Sequence, residues 1–186
     1  MNLKQSWKEK WVSQPGLMLI TIIIWSIFIG LCIQAGTLLF TSIYSFFNPI
    51  VAENLYEGLN LHGLMSQQIW YYIGLVALLL QVVGLKAYMF YLMTKIFYTI
   101  NLDHPFSKKV SVLISKIAAV CFRIGILAIF ATGSLKWLLK RGFDVPSMDS
   151  YTGGAFEYLL MSALLYAIAQ VFKRGMEIQS ENELTI

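Results

Sequence analysis

The sequence predicts an all-α membrane protein: a polytopic bundle of four transmembrane helices with both termini cytoplasmic. Three observations carry this reading. Hydrophobic residues make up 58% of the 186-residue chain and charged residues 13%, about half the roughly 25% charged found in soluble domains. A soluble fold of this length has no interior large enough for that much apolar surface. The apolar residues run continuously, as in Leu17-Met18-Leu19-Ile20-Thr21-Ile22-Ile23-Ile24, instead of alternating over ten-residue segments as a β-barrel strand must.

The elements follow in order. The first span is expected over residues 16–40, inside an uncharged stretch covering 11–52; about 20 helical residues cross a bilayer core. Lys4, Lys8 and Lys10 precede it and give it the look of a signal peptide. The apolar run is about twice a signal h-region, and no small-x-small cleavage site closes it. Leu31 before Cys32 breaks the lipobox pattern, so this span is expected to stay attached. An outer loop, 41–68, carries Glu53, Glu57 and His62 but neither Lys nor Arg. Asn48-Pro49 is a helix start and Gly58 a stop, which predicts a short acidic helix with Ile50, Leu55 and Tyr56 resting on the outer surface. Phe46, Phe47, Trp70, Tyr71 and Tyr72 flank it as an aromatic belt. The loop reads as a lid that stabilises the bundle, with a ligand site as the less favoured reading.

The second span is expected over 69–93 and extends into a cytosolic stalk that Pro105 ends. Ser107 caps the next helix, which starts before the membrane and carries the third span, 112–135. On it Lys109, Lys116 and Arg123 recur every seven residues and share one face, drifting ~20° per heptad. The connection 136–154 is mixed, with Lys136, Lys140 and Arg141 against Asp144 and Asp149; it is the one discordant signal in the orientation. The fourth span, 154–172, ends at Lys173-Arg174, and a cytoplasmic tail, 173–186, follows. The helix is expected to continue through about Ser180, with the tail packed on the stalks around 95–109 and its carboxylates towards Lys108, Lys109 or Lys116. Basic residues cluster before span one, between spans two and three and after span four, which places both termini inside and makes this one domain.

Chemistry-bearing motifs are few. There is no nucleophile elbow, phosphate loop or dinucleotide fingerprint, so no enzyme is expected, and no cofactor. His62 and His104 fall on opposite sides of the membrane in this topology and cannot share a metal. Cys32 and Cys121 read as two small buried hydrophobes. The ionisable groups inside the spans, Lys86, Arg123 and Glu157, are the default functional candidates, joined by Gln34, Gln81 and Gln170 as polar groups that can bridge helices. Two readings stand. In one, Lys86 and Arg123 snorkel to the cytoplasmic interface. In the other, Lys86, Lys109, Lys116 and Arg123 form an anion or lipid-head-group site. Ser26-x-x-x-Gly30 and Ala163-x-x-x-Ala167 are small-residue patterns through which the chain could form a homodimer.

Two segments carry a resemblance. The loop His104-Pro105-Phe106-Ser107 before a basic helix, and the end Ala169-Gln170-Val171-Phe172-Lys173-Arg174-Gly175-Met176-Glu177 with Glu181-Asn182-Glu183-Leu184-Thr185-Ile186, resemble a bacterial four-span membrane family, domain of unknown function 2975. Glu183 stands where the family's usual ending has Asp, which keeps the charge. The resemblance covers essentially the whole chain. It implies a multi-pass protein of the bacterial inner (plasma) membrane, without an assigned reaction, in contact with membrane lipids and partnered by a small cytoplasmic Cro/CI-like DNA-binding regulator. Direct nucleic-acid contact is not expected, because the basic residues are few and close to the membrane. Function is thus read as non-enzymatic and regulatory or scaffolding through the cytoplasmic face, with Glu177, Glu181 and Glu183 as the candidate docking residues. The alternative is a small-molecule or lipid carrier using Lys86 and Arg123.

Overall fold

The computed structural model describes residues 15–100 and 106–183. Lys4, Lys8, Lys10, His104 and Pro105, the last residues of the tail and the side chain of Glu183 lie outside that description. The helices are α1 (Pro15–Tyr44), α2 (His62–Gln67), α3 (Ile69–Thr99), α4 (Lys108–Lys140), α5 (Asp149–Thr152) and α6 (Ala155–Glu183), with a 3-10 helix at Pro49–Glu53. No strand occurs among the described residues. α1, α3, α4 and the helix that ends the chain are long and apolar enough to cross a membrane. Helices of 30, 31 and 33 residues rise about 45–50 Å at 1.5 Å per residue, which matches a bilayer with its headgroup layers.

The long helices pack as antiparallel neighbours, α1 on α3, α3 on α4 and α4 on α6. At the end of the molecule where α1 starts, here the basal end, Trp25 Nε1 donates to the Tyr98 hydroxyl at 2.9 Å and Phe106 meets Phe172 edge-on at 5.3 Å. At the opposite, apical end Ser45 Oγ and the Tyr72 hydroxyl lie 2.7 Å apart, and Tyr71 meets Trp137 at 5.4 Å. α3 and α4 form the interior. About 44% of the most apolar stretch of α4 is buried, against 6% for α1, so α1 is a flanking helix whose surface is left to lipid or to another protein.

Local chemistry explains the ends of α4. Ser107, extended, accepts a hydrogen bond from Val110 N, the side-chain cap that satisfies one orphan donor of the first turn. At the other end Gly142 sits at φ 85°, with Gly142 N bonded to Leu139 O and Phe143 N to Leu138 O. That pair is a Schellman closure, which needs a left-handed residue and hence glycine. Beneath it an apical core gathers Leu38, Leu55, Leu61, Leu64, Tyr72, Leu79, Leu138 and Met148. A basal core holds Met89, Leu92, Ile117, Val120, Cys121 and Ile124.

Two connections differ from the expected ones. The element after Asn48-Pro49 is a 3-10 turn that stops at Glu53, not an α-helix reaching Gly58, and Asn48 makes no side-chain cap bond. Asn54 Oδ1 instead accepts from Gly58 N at 3.0 Å, a local bond that competes with helix continuation. The loop is tied down by Thr41 Oγ1 to Leu55 O and by Leu61 N to Ala52 O, each 2.8 Å. α2 and α5 were not anticipated; at six and four residues they are too short for a periodic signal.

The second difference matters more. A Cβ built on Gly125 meets Leu159 Cγ at 2.7 Å and Ala155 O at 3.0 Å, so α6 begins beside the middle of α4. Gly125 lies 15 residues before Lys140, about 22 Å along the helix. The chain therefore turns back after α4, runs into the protein through 141–154, and starts α6 halfway down. Val145, Met148, Tyr151 and Thr152 on this re-entrant segment are buried. Irregular backbone is stable at such depth only when protein encloses it.

Candidate functional site: a charged level at the middle of the helices

Helix registers bring three ionisable side chains to one depth. Met89 Sδ lies 3.3 Å from Cys121 Sγ, so on antiparallel α3 and α4 Lys86 stands level with Ile124. Gly125 against Ala155 and Leu159 puts Glu157 level with Gly125. Arg123 is one residue from the first of these levels and two from the second, within about 3 Å of each along the axis. Arg123 also lies about 22 Å from Lys108 and 25 Å from Lys140 along α4, near the middle of that helix.

Lys86 points inward. Its Nζ donates to the Tyr151 carbonyl at 2.8 Å and lies 5.7 Å from the centre of the Tyr158 ring. One cation thus holds the re-entrant segment through a charge-assisted hydrogen bond and faces α6 through a ring. The sequence reading placed Lys86 as a snorkelling residue or an anion ligand; its partner is the backbone of the chain itself. Tyr151 is the centre of a wider network. Its hydroxyl donates to Tyr56 O at 3.3 Å. Two elements distant in sequence, α3 and the apical loop, converge on this one residue. Outside the spans, burial first and the Glu57 carboxylate second raise the pKa of the Tyr56 phenol.

Arg123 points elsewhere. Cys121 and Gly125 face α6, and Arg123, two residues from each, is about 200° round the helix. Lys109, Lys116 and Arg123 all lie on the uninterrupted α4 and all are exposed, which is the continuous stripe the heptad spacing predicts. The structure does not bring Lys86 to this stripe, so an anion site drawing on both has no geometric support. Glu157 is exposed on α6. Neither it nor Arg123 makes a hydrogen bond or ion pair among the described residues. Gln81 and Gln170 are exposed as well.

At the basal end α6 continues past Lys173-Arg174 as one helix to Glu183, as expected and slightly further. Phe172 and Gly175 seat on Phe106. Glu177 pairs with Arg174 on its own helix at 2.7 Å, rather than with Lys108, Lys109 or Lys116 as the sequence suggested. The i, i+3 neighbour is simply closer than the stalk. Glu177 and Glu181 are exposed. Among the described residues no group of His, Cys, Asp and Glu could hold a metal ion.

Sequence reasoning missed Tyr151 as a functional residue. A tyrosine in a short polar connection carries no spacing signal; the nearest hint was Gly153-Gly154, which allows an abrupt helix start.

The family model described as "Protein of unknown function (DUF2975)" matches residues 82–186. No curated protein and no solved structure matches the chain. The matched region begins four residues before Lys86 and takes in α4, the re-entrant segment and α6, more than half of the molecule, and on this the chain belongs to the DUF2975 family.

Proposed function

We propose that this protein is a non-enzymatic regulatory or scaffolding component of the bacterial inner membrane, with its basal end in the cytoplasm as the docking face for a soluble partner. The observation that carries the reading is the rigid presentation of the tail. α6 runs unbroken to Glu183, and its exit is fixed by Phe172 and Gly175 against Phe106. A free acidic tail would be a poor helix on its own; seated in this way it holds Glu177 and Glu181 exposed at a defined angle. Partly exposed carboxylates contribute only ~0–1 kcal/mol each to the fold, so their value lies in recognition of a basic partner surface. The partner class is the small DNA-binding regulator that the family resemblance implies.

The test is capture of that regulator by the full-length protein in detergent, compared with a chain ending at Gly175 and with Glu177→Gln/Glu181→Gln. Capture is expected from the full-length protein and lost from both variants, with helix content per residue unchanged. Undiminished capture by the shortened chain would sink the docking role of the tail.

A further inference from the structure

Among the described residues Arg123 and Glu157 are opposite charges that face outward near the middle of α4. Each is exposed, and neither has a partner among the described residues. An outward-facing charge within a membrane-spanning helix is costly unless a partner meets it. The two charges are opposite in sign and sit within about 3 Å of the same level. They are nevertheless turned apart, Arg123 away from α6 and Glu157 on α6 itself, so they cannot pair within one chain.

We propose that Arg123 of one protomer pairs with Glu157 of a second copy of this chain, through a head-to-tail contact of α4 on α6 within the membrane. A second copy related by rotation about the membrane normal keeps every residue at its own depth, so the matched levels are the condition such a pair must meet. The flanking surfaces are suited to it. On α6 Leu160, Leu164 and Val171 are 52%, 58% and 64% exposed and continue the face of Glu157 at helical spacing. Ala163 and Ala167, also exposed, let a neighbouring helix approach closely. On α4 Ile126 and Phe130 are 48% and 65% exposed beside Arg123. α4 and α6 run in opposite directions, so their faces meet as antiparallel helices, as α4 and α6 already do within the chain. A heterologous contact of this kind closes as a ring or extends as an array. The inference does not depend on the cytoplasmic docking reading.

The experiment is self-association of the full-length protein in phosphatidylcholine vesicles, read by energy transfer between donor- and acceptor-labelled copies over a lipid-dilution series. The wild type is expected to associate. Arg123→Glu and Glu157→Arg singly are expected to weaken association about tenfold or more, while the double variant Arg123→Glu/Glu157→Arg regains it to within about threefold. The double variant mixed with wild type should transfer poorly, because like charges then meet at every mixed contact. Circular dichroism of each variant in the same vesicles checks that the helices persist; a single variant that fails to insert is replaced by Arg123→Gln or Glu157→Gln, for which the same loss is expected. A monomeric wild type across the dilution series overturns the proposal, as do single variants that associate like wild type or a double variant that does not recover.

Discussion

The Lys86–Tyr151 contact makes a prediction in which local and global stability part company. Replacing Lys86 by Met keeps most of the volume and removes the donor that holds the Tyr151 carbonyl at 2.8 Å. Two effects oppose each other. A buried carbonyl left without its donor costs about 1–3 kcal/mol. Deleting a cation from a membrane-spanning helix returns at most about 2.5–3.5 kcal/mol on the insertion scale, less where the cation is already bonded. Global stability should therefore change by no more than about 1–2 kcal/mol, in either direction. The re-entrant segment feels only the first effect, because the cation's solvation cost belongs to α3. Opening of 149–154 should become easier by about 1–3 kcal/mol, a factor of roughly 5–150 in the open population. Thr152 is 3% exposed, so Thr152→Cys reports that opening. Thiol labelling in detergent should accelerate by that factor in Lys86→Met/Thr152→Cys relative to Thr152→Cys alone, while the unfolding midpoint moves little. A labelling rate unchanged within about twofold would refute the assignment of Lys86 as the latch of this segment.

Three further outcomes follow from the packing. Gly125→Leu forces side-chain atoms onto Leu159 and the Ala155 carbonyl, where even a Cβ would sit at 2.7 and 3.0 Å, and should destabilise by about 1–3 kcal/mol in a detergent-unfolding titration. At the buried pair, Ser45→Ala should cost more than Tyr72→Phe. It strands the Tyr72 hydroxyl at a fully buried site, whereas Ser45 Oγ keeps its bond to Ser42 O at 2.7 Å; the expected values are about 1–3 against about 0.5–1.5 kcal/mol, by the same titration. Phe106→Ala removes the edge-on contact with Phe172 at 5.3 Å, an aromatic pair worth about 0.5–1.5 kcal/mol beyond its buried area. Limited proteolysis should then cut between 173 and 183 sooner, with the four long helices retained.

Much of the fold was legible because bilayer burial is a one-dimensional constraint. A hydrocarbon core demands uninterrupted apolar residues and satisfied backbone, so the start of α3 at Ile69, the cap at Ser107 and the single helix carrying Lys109, Lys116 and Arg123 could be read from composition, capping residues and the seven-residue spacing alone. The same reasoning gave the continuation of α6 beyond Lys173, because Met176 and Ile178 would have no reason to be apolar in a free tail. What it could not supply was the depth at which each helix begins. Hydropathy treats 154–172 as a span entering at one surface, yet α6 starts beside Gly125, since 141–154 is enclosed by α3, α4 and the apical loop and needs no apolar run of its own. Spacing likewise separated the faces of α4 but said nothing of what those faces meet. Lys86 and Arg123 look equivalent as lone cations in apolar helices. Only the packing of α3 against the re-entrant segment turns one towards the Tyr151 carbonyl and leaves the other outside, because a side chain's partner is set by residues far along the chain, and no local pattern records them.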